Sequence, residues 1–165
     1  PMIATVFNDD HPGEVVGLVL VDPRGPDVTR DQHAALPPKR PQESSAIATA
    51  RRAFVNAVFD VNDEKMRFGP SEQQARQVLD QPGPAFGDMP VIVLHAPGTQ
   101  ASLPRLPRNL GDLWWQIWSD GQQRYADEST NGEVRVVAGS GHSIQDDKPH
   151  AVIAAVKDVL GRVLG

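Results

Sequence analysis

Apolar positions along this chain fall into two kinds of pattern. Three short runs are almost continuous: VVGLVLV at 15–21, VIVLH at 91–95 and VRVVA at 134–138. They do not alternate with polar residues, which predicts strands buried on both faces, as in a parallel sheet. Elsewhere apolar residues recur at helical spacing. Ile3, Val6 and Phe7 predict a short helix over 2–9, stopped by His11-Pro12-Gly13. Ser44 or Ser45 can cap a helix to about Phe59, with Ile47, Phe54, Val55 and Val58 on one side. Ser71 caps a shorter one near 72–80, with Glu72 in its first turn. Leu110, Leu113, Trp114, Ile117 and Trp118 fall at i, i+3, i+4, i+7 and i+8. Asp147 and Pro149 open a last helix, striped by Val152, Ile153, Val156, Val159, Leu160 and Val163. The Pro-rich stretches 24–42 and 96–109 read as loops. Strands alternating with helices predict an α/β fold with one parallel sheet of three strands.

Composition narrows the function classes. The 165 residues suit one domain, and 39% apolar content allows a packed core, filled mostly by aliphatic side chains because aromatics are only 5%. A formal charge of −5 argues against nucleic acid or an anionic membrane surface as partner. With no cysteine there is neither a disulfide nor a thiolate nucleophile or metal ligand. No apolar run is long enough to span a bilayer. Pro1–Asp10 has no basic start, so no signal peptide is read there and a cytoplasmic location is expected. No histidine spacing matches a metal motif and no Gly-rich phosphate loop is present, so neither metal nor cofactor is expected.

Two segments can carry chemistry. Ala138-Gly-Ser-Gly-His142-Ser-Ile-Gln-Asp-Asp-Lys-Pro149 follows a strand and precedes a helix. Open α/β sheets place their reactive groups at the carboxyl ends of strands, and histidine is the natural base near neutral pH. Read alone, His142 is equally a loop histidine that caps or packs. Val19-Leu-Val-Asp22-Pro23 ends another strand in an acid. A carboxylate accepting the imidazole N–H fixes its tautomer and stabilises its charged form. An aspartate before proline also caps turns, and that reading of Asp22 stands beside the first. His95 ends a strand, where it can line a cleft; His11, His33 and His150 read as solvated. Trp115 falls off the apolar stripe of its helix and is free to face a pocket or partner.

Together these segments resemble the C-terminal half of an α/β-hydrolase. GEVVGLVLVDP at 13–23 is similar to the family's sixth strand and its acid-bearing end, and PVIVLH at 90–95 to the seventh. EVRVVAGSGHSIQDDKPHAVIAAVKDVL at 133–160 resembles the eighth strand, the histidine loop and the last helix. The order acid then histidine agrees with such proteins, in which the nucleophile comes first. The family's G-x-S-x-G elbow is absent. Residues 2–9 look like the remainder of the helix that follows it, so the resemblance implies a nucleophile on a segment upstream of Pro1. Ser140 lies in G-S-G beside the base and reads as a loop residue. After the seventh strand His95-Ala-Pro-Gly-Thr offers no carboxylate and the next acid is Asp112 in the following helix region, which turns the choice of acid to Asp22.

The resemblance implies a core of residues 1–23 and 89–165, with 24–88 as a mainly helical cap. It implies ester hydrolysis by a serine, with His142 and Asp22 as base and acid and no cofactor. An aspartate nucleophile acting on an epoxide or halide stays open. Phe54, Phe59, Phe68 and Phe86 in the cap suggest a small apolar substrate. An unpaired, uncharged edge along Val15–Val21 implies a partner there, either the complementary N-terminal half or a second copy of the chain. Two other readings remain: a non-catalytic half-fold serving binding or assembly, and a tautomerase using Pro1 as base, which would need a strand at the start.

Overall fold

The computed structural model describes residues 2–59, 74–102 and 106–165. Strands β1 (Leu18–Val21), β2 (Val91–His95) and β3 (Gly132–Val136) form a parallel sheet in the order β1-β2-β3. Leu18 to Val21 pair with Val91 to Leu94, and Val91 to His95 pair with Gly132 to Val136.

Burial on both faces holds only for the central strand, where Val91 to Leu94 are all buried. The outer strands are half-buried along most of their length. The strand expected over 15–21 starts only at Leu18, and Val16 is 55% exposed. The cause lies in the partner. The Leu18 N–H reaches the Pro90 carbonyl at 2.9 Å, but Pro90 has no N–H to extend the ladder backwards. The strand expected over 134–138 begins two residues earlier. It ends after the rung from the Val137 N–H to the His95 carbonyl, where Gly139 turns the chain at φ 72°.

The helices are α1 (Met2–Asp10), α2 (Val28–Ala34), α3 (Ser45–Phe59), α4 (74–79), α5 (Arg108–Asp127), α6 (Ile144–Asp147) and α7 (Pro149–Leu164). A 3₁₀ turn spans Pro97–Ser102. A helix at Met2–Asp10 leaves no strand for a Pro1-dependent base. Ser44 caps α3, its Oγ accepting the Ile47 N–H at 3.4 Å. Ser71 and Glu72, expected to open α4, lie outside the described residues. α5 runs well past the expected stripe, and its buried face is Leu110, Trp114, Trp118, Gly121, Gln122, Tyr125 and Ala126. Leu113 sits off that face and is 42% exposed. α7 opens at Lys148 and Pro149, not at Asp147, which closes α6 and has other work.

The two-residue period of β2 sorts the core into two layers. Val91 and Val93 point to α5, where Leu20, Tyr125, Ala126, Leu79 and Phe86 join them. Ile92 and Leu94 point to α7, meeting Ile144, Ala155 and Val159. Helices thus cover both faces of the sheet.

The described residues of 24–88 pack in two places. α2 and α3 pack on the first half of α5 through Leu36, Ala50, Leu110 and Trp114, and Gln32 Nε2 donates to the Trp114 carbonyl at 3.2 Å. That half of α5 follows the loop from the carboxyl end of β2, so these helices stand at the carboxyl end of the sheet. Leu79 and Phe86, in contrast, belong to the core beneath β1 and β2. Phe86, expected to face a ligand, is 5% exposed and packs there because its N–H is tied to the Glu128 carbonyl at 2.7 Å. Phe68 lies outside the described residues.

Candidate active site

The loops leaving the three strands bring Asp22 and His142 together. Asp22 directly follows β1 and is fully buried; its backbone N–H is bonded to the Leu94 carbonyl at 2.7 Å. It adopts φ 41°, a conformation that L-residues avoid and that persists where the surroundings impose it. Its Oδ2 lies 2.8 Å from His142 Nδ1. The same oxygen accepts the Thr99 hydroxyl at 2.6 Å, while Oδ1 accepts the Ala96 N–H at 3.0 Å and Gln122 Nε2 at 2.8 Å. Burial alone would raise the Asp22 pKa, and it is the largest single influence. The bonds from Thr99, Gln122, His142 and Ala96 together outweigh it and hold the carboxyl below its ordinary value. The side chain is therefore an ionised carboxylate at neutral pH.

His142 presents the opposite character, with 60% of its side chain exposed. With Nδ1 turned to the carboxylate, the Nε2 edge is the one available to a reacting group. Trp118 stands edge-on to the ring at 6.1 Å, and Arg24 lies over the Trp118 indole at 5.4 Å.

The histidine loop is held by backbone contacts its glycines permit. The Gly98 N–H donates to the Ser140 carbonyl at 3.0 Å, and a Cβ on Gly98 would collide with that oxygen. Asp147, read from sequence as a helix cap, instead reaches back to accept the Gly141 N–H at 2.7 Å. α7 has Lys148 at its N-cap instead, with no side-chain bond there. Ser140, read from sequence as a loop residue, is buried, and its hydroxyl donates to the Gly141 carbonyl at 2.9 Å.

Sequence reasoning missed Thr99 and Gln122. Gln122 carried a usable signal: Trp114, Trp118 and Gln122 are spaced by four, which puts a glutamine on a buried helical stripe. Thr99 carried none, being one hydroxyl in a loop. His95 does line this region. Its Nδ1 lies 2.6 Å from Gln122 Oε1, and its ring packs on Trp115 with centroids 5.2 Å apart. Clefts elsewhere, between α1 and α4 and between α2 and α5, do not include Asp22 or His142. Among the described residues no cluster of three metal-ligating side chains occurs.

What the arrangement can do is defined by its parts: a buried, ionised acid, a histidine it orients, and an open nitrogen on the far side of the ring. Comparison with known protein families, curated proteins and solved structures finds no match.

Proposed function

We propose that Asp22 and His142 are the acid and base of a hydrolytic site whose serine nucleophile comes from a segment upstream of Pro1, and that the chain forms the C-terminal half of an α/β-hydrolase acting on a small apolar ester. In that reading β1, β2 and β3 are the family's sixth, seventh and eighth strands. The observation that carries it is the 2.8 Å contact between a fully buried carboxylate and a largely exposed imidazole, both beyond the carboxyl ends of parallel strands. His142 Nε2 would take the serine proton as the hydroxyl attacks the ester carbonyl, and later pass it to the leaving alcohol. Asp22 would hold the tautomer and stabilise the imidazolium between those steps.

The test is turnover of p-nitrophenyl butyrate by the product of the complete reading frame. His142→Ala should lower kcat by at least about 10³-fold, and Asp22→Asn by about 10⁴-fold through the wrong tautomer. Unchanged turnover in either variant would refute the assignment. Ser143→Ala and Gln145→Ala should stay near the parent rate.

The same reading places a partner along β1. The strand is at the edge of the sheet, and Val16 beside it is exposed. α7, which packs on β1 and β2, leaves Ile153, Val156 and Leu160 between 43% and 48% exposed. An apolar strand edge next to an apolar helix stripe is a surface for another strand and its cover. The complementary N-terminal half is the occupant this reading assigns. The same surface also supports the rival view of an assembly module.

A further inference from the structure

Asp22 serves two imidazoles, and only one of them belongs to the acid–base pair above. Gln122 links it to the other. Its fully buried side chain donates from Nε2 to Asp22 Oδ1 at 2.8 Å, and its Oε1 lies 2.6 Å from His95 Nδ1. The two ends of this amide cannot be exchanged. An amide oxygen turned to the carboxylate would set two acceptors against each other within hydrogen-bond distance. With the oxygen held toward His95, the ring nitrogen facing it must carry a proton. Neutral His95 is then the Nδ1–H tautomer, and its Nε2 is a bare acceptor.

The position of this acceptor gives it a use. His95 ends β2, the strand between the one that leads to Asp22 and the one that leads to His142. Trp115, half-buried on α5, packs against the ring at an interplanar angle of 38°. An acceptor nitrogen beside an indole suits a ligand with an apolar body and one donor.

We propose that His95 is a specificity residue, its Nε2 accepting a hydrogen bond from an O–H or N–H group of the molecule that reaches His142, with Trp115 as the apolar wall. The inference rests on the hydrolytic reading only for where that molecule sits. Long-range ¹H–¹⁵N spectra of histidine-labelled protein at pH about 9, above the ordinary imidazole range, read the tautomers directly. His95 should be Nδ1–H. In Gln122→Met it should move toward Nε2–H, while His142, still facing Asp22, stays Nδ1–H. An Nε2–H His95 in the unsubstituted protein overturns the proposal whatever the variant does. Phenol and toluene then probe recognition. Phenol should shift the His95 Nε2 resonance and toluene, of the same shape without the donor, should leave it in place. No response to phenol, or the same response to both, also overturns it. Absence of ester turnover would remove the hydrolytic reading and leave these spectra unaltered, so the two failures are distinguishable.

Discussion

Asp22 accepts four hydrogen bonds on two oxygens while wholly out of water. Its carboxyl titrates below the ordinary value, so the folded form binds fewer protons than the unfolded chain across that range. The stabilisation is fully present above the unfolded value of about 3.9 and fades as pH falls through the lower folded value. Asp22→Asn removes that titration. The stability difference between parent and variant, from urea unfolding, should therefore be constant near neutrality and shrink below about pH 4. A difference independent of pH would contradict the account. Asp22→Ala is a harsher change, leaving the Ala96 N–H and the Gln122 amide without their acceptor, and should cost about 3–5 kcal/mol at pH 7.

At the scale of elements, β2 is the member on which both layers depend. Leu94 is 1% exposed and packs under α7, so Leu94→Ala should cost about 2–5 kcal/mol in denaturant unfolding. Val136, at the end of outer strand β3, is 65% exposed, and Val136→Ala should change stability by less than about 0.5 kcal/mol. Equal costs would mean that the sheet is not organised around its central strand. The meeting of two loops at Gly98 and Ser140 sets a further constraint. Gly98→Ala has to push the histidine loop aside, so it should disturb His142 more than it disturbs the sheet. The chemical shifts of His142 should move while those of Val91 to Leu94 stay.

For the molecule as a whole, the uneven burial of α7 is the telling feature. Ala155 and Val159 are buried against the sheet, while Ile153, Val156 and Leu160 face outward. Where α7 meets β3 the contacts are instead charged: Arg135 bonds Asp158 at 2.6 Å, and Arg162 bonds Glu133. Among the described residues the sheet ends at β1, on which α7 packs, and no described strand covers Ile153, Val156 and Leu160. If a second strand-bearing body covers them, the 165-residue chain should self-associate or bind its complement in sedimentation. Ile153→Glu with Leu160→Glu should abolish that association and leave the far-UV circular dichroism unchanged. A stable monomer of the unsubstituted chain would argue against the partner.

The sequence by itself determined the alternation of strands and helices, the central strand at 91–95, and the presence of an acid after one strand and a histidine after another, whose pairing only the resemblance implied. These are local matters: periodicity, turn residues and the position of polar groups at strand ends are written in consecutive residues. Tertiary structure decided what depends on distant partners. β1 starts at Leu18 because Pro90, seventy-two positions on, cannot return a hydrogen bond. Asp147 left its expected cap because the folded loop offers the Gly141 N–H. Phe86 went to the core because the Glu128 carbonyl, forty-two positions on, holds its N–H beneath the sheet. Gln122 and Thr99 joined the site because a buried carboxylate requires donors from whichever elements surround it. Spacing along the chain expresses the preference of each residue for a conformation. It does not express which unpaired group, far away in sequence, will be waiting where that conformation leads.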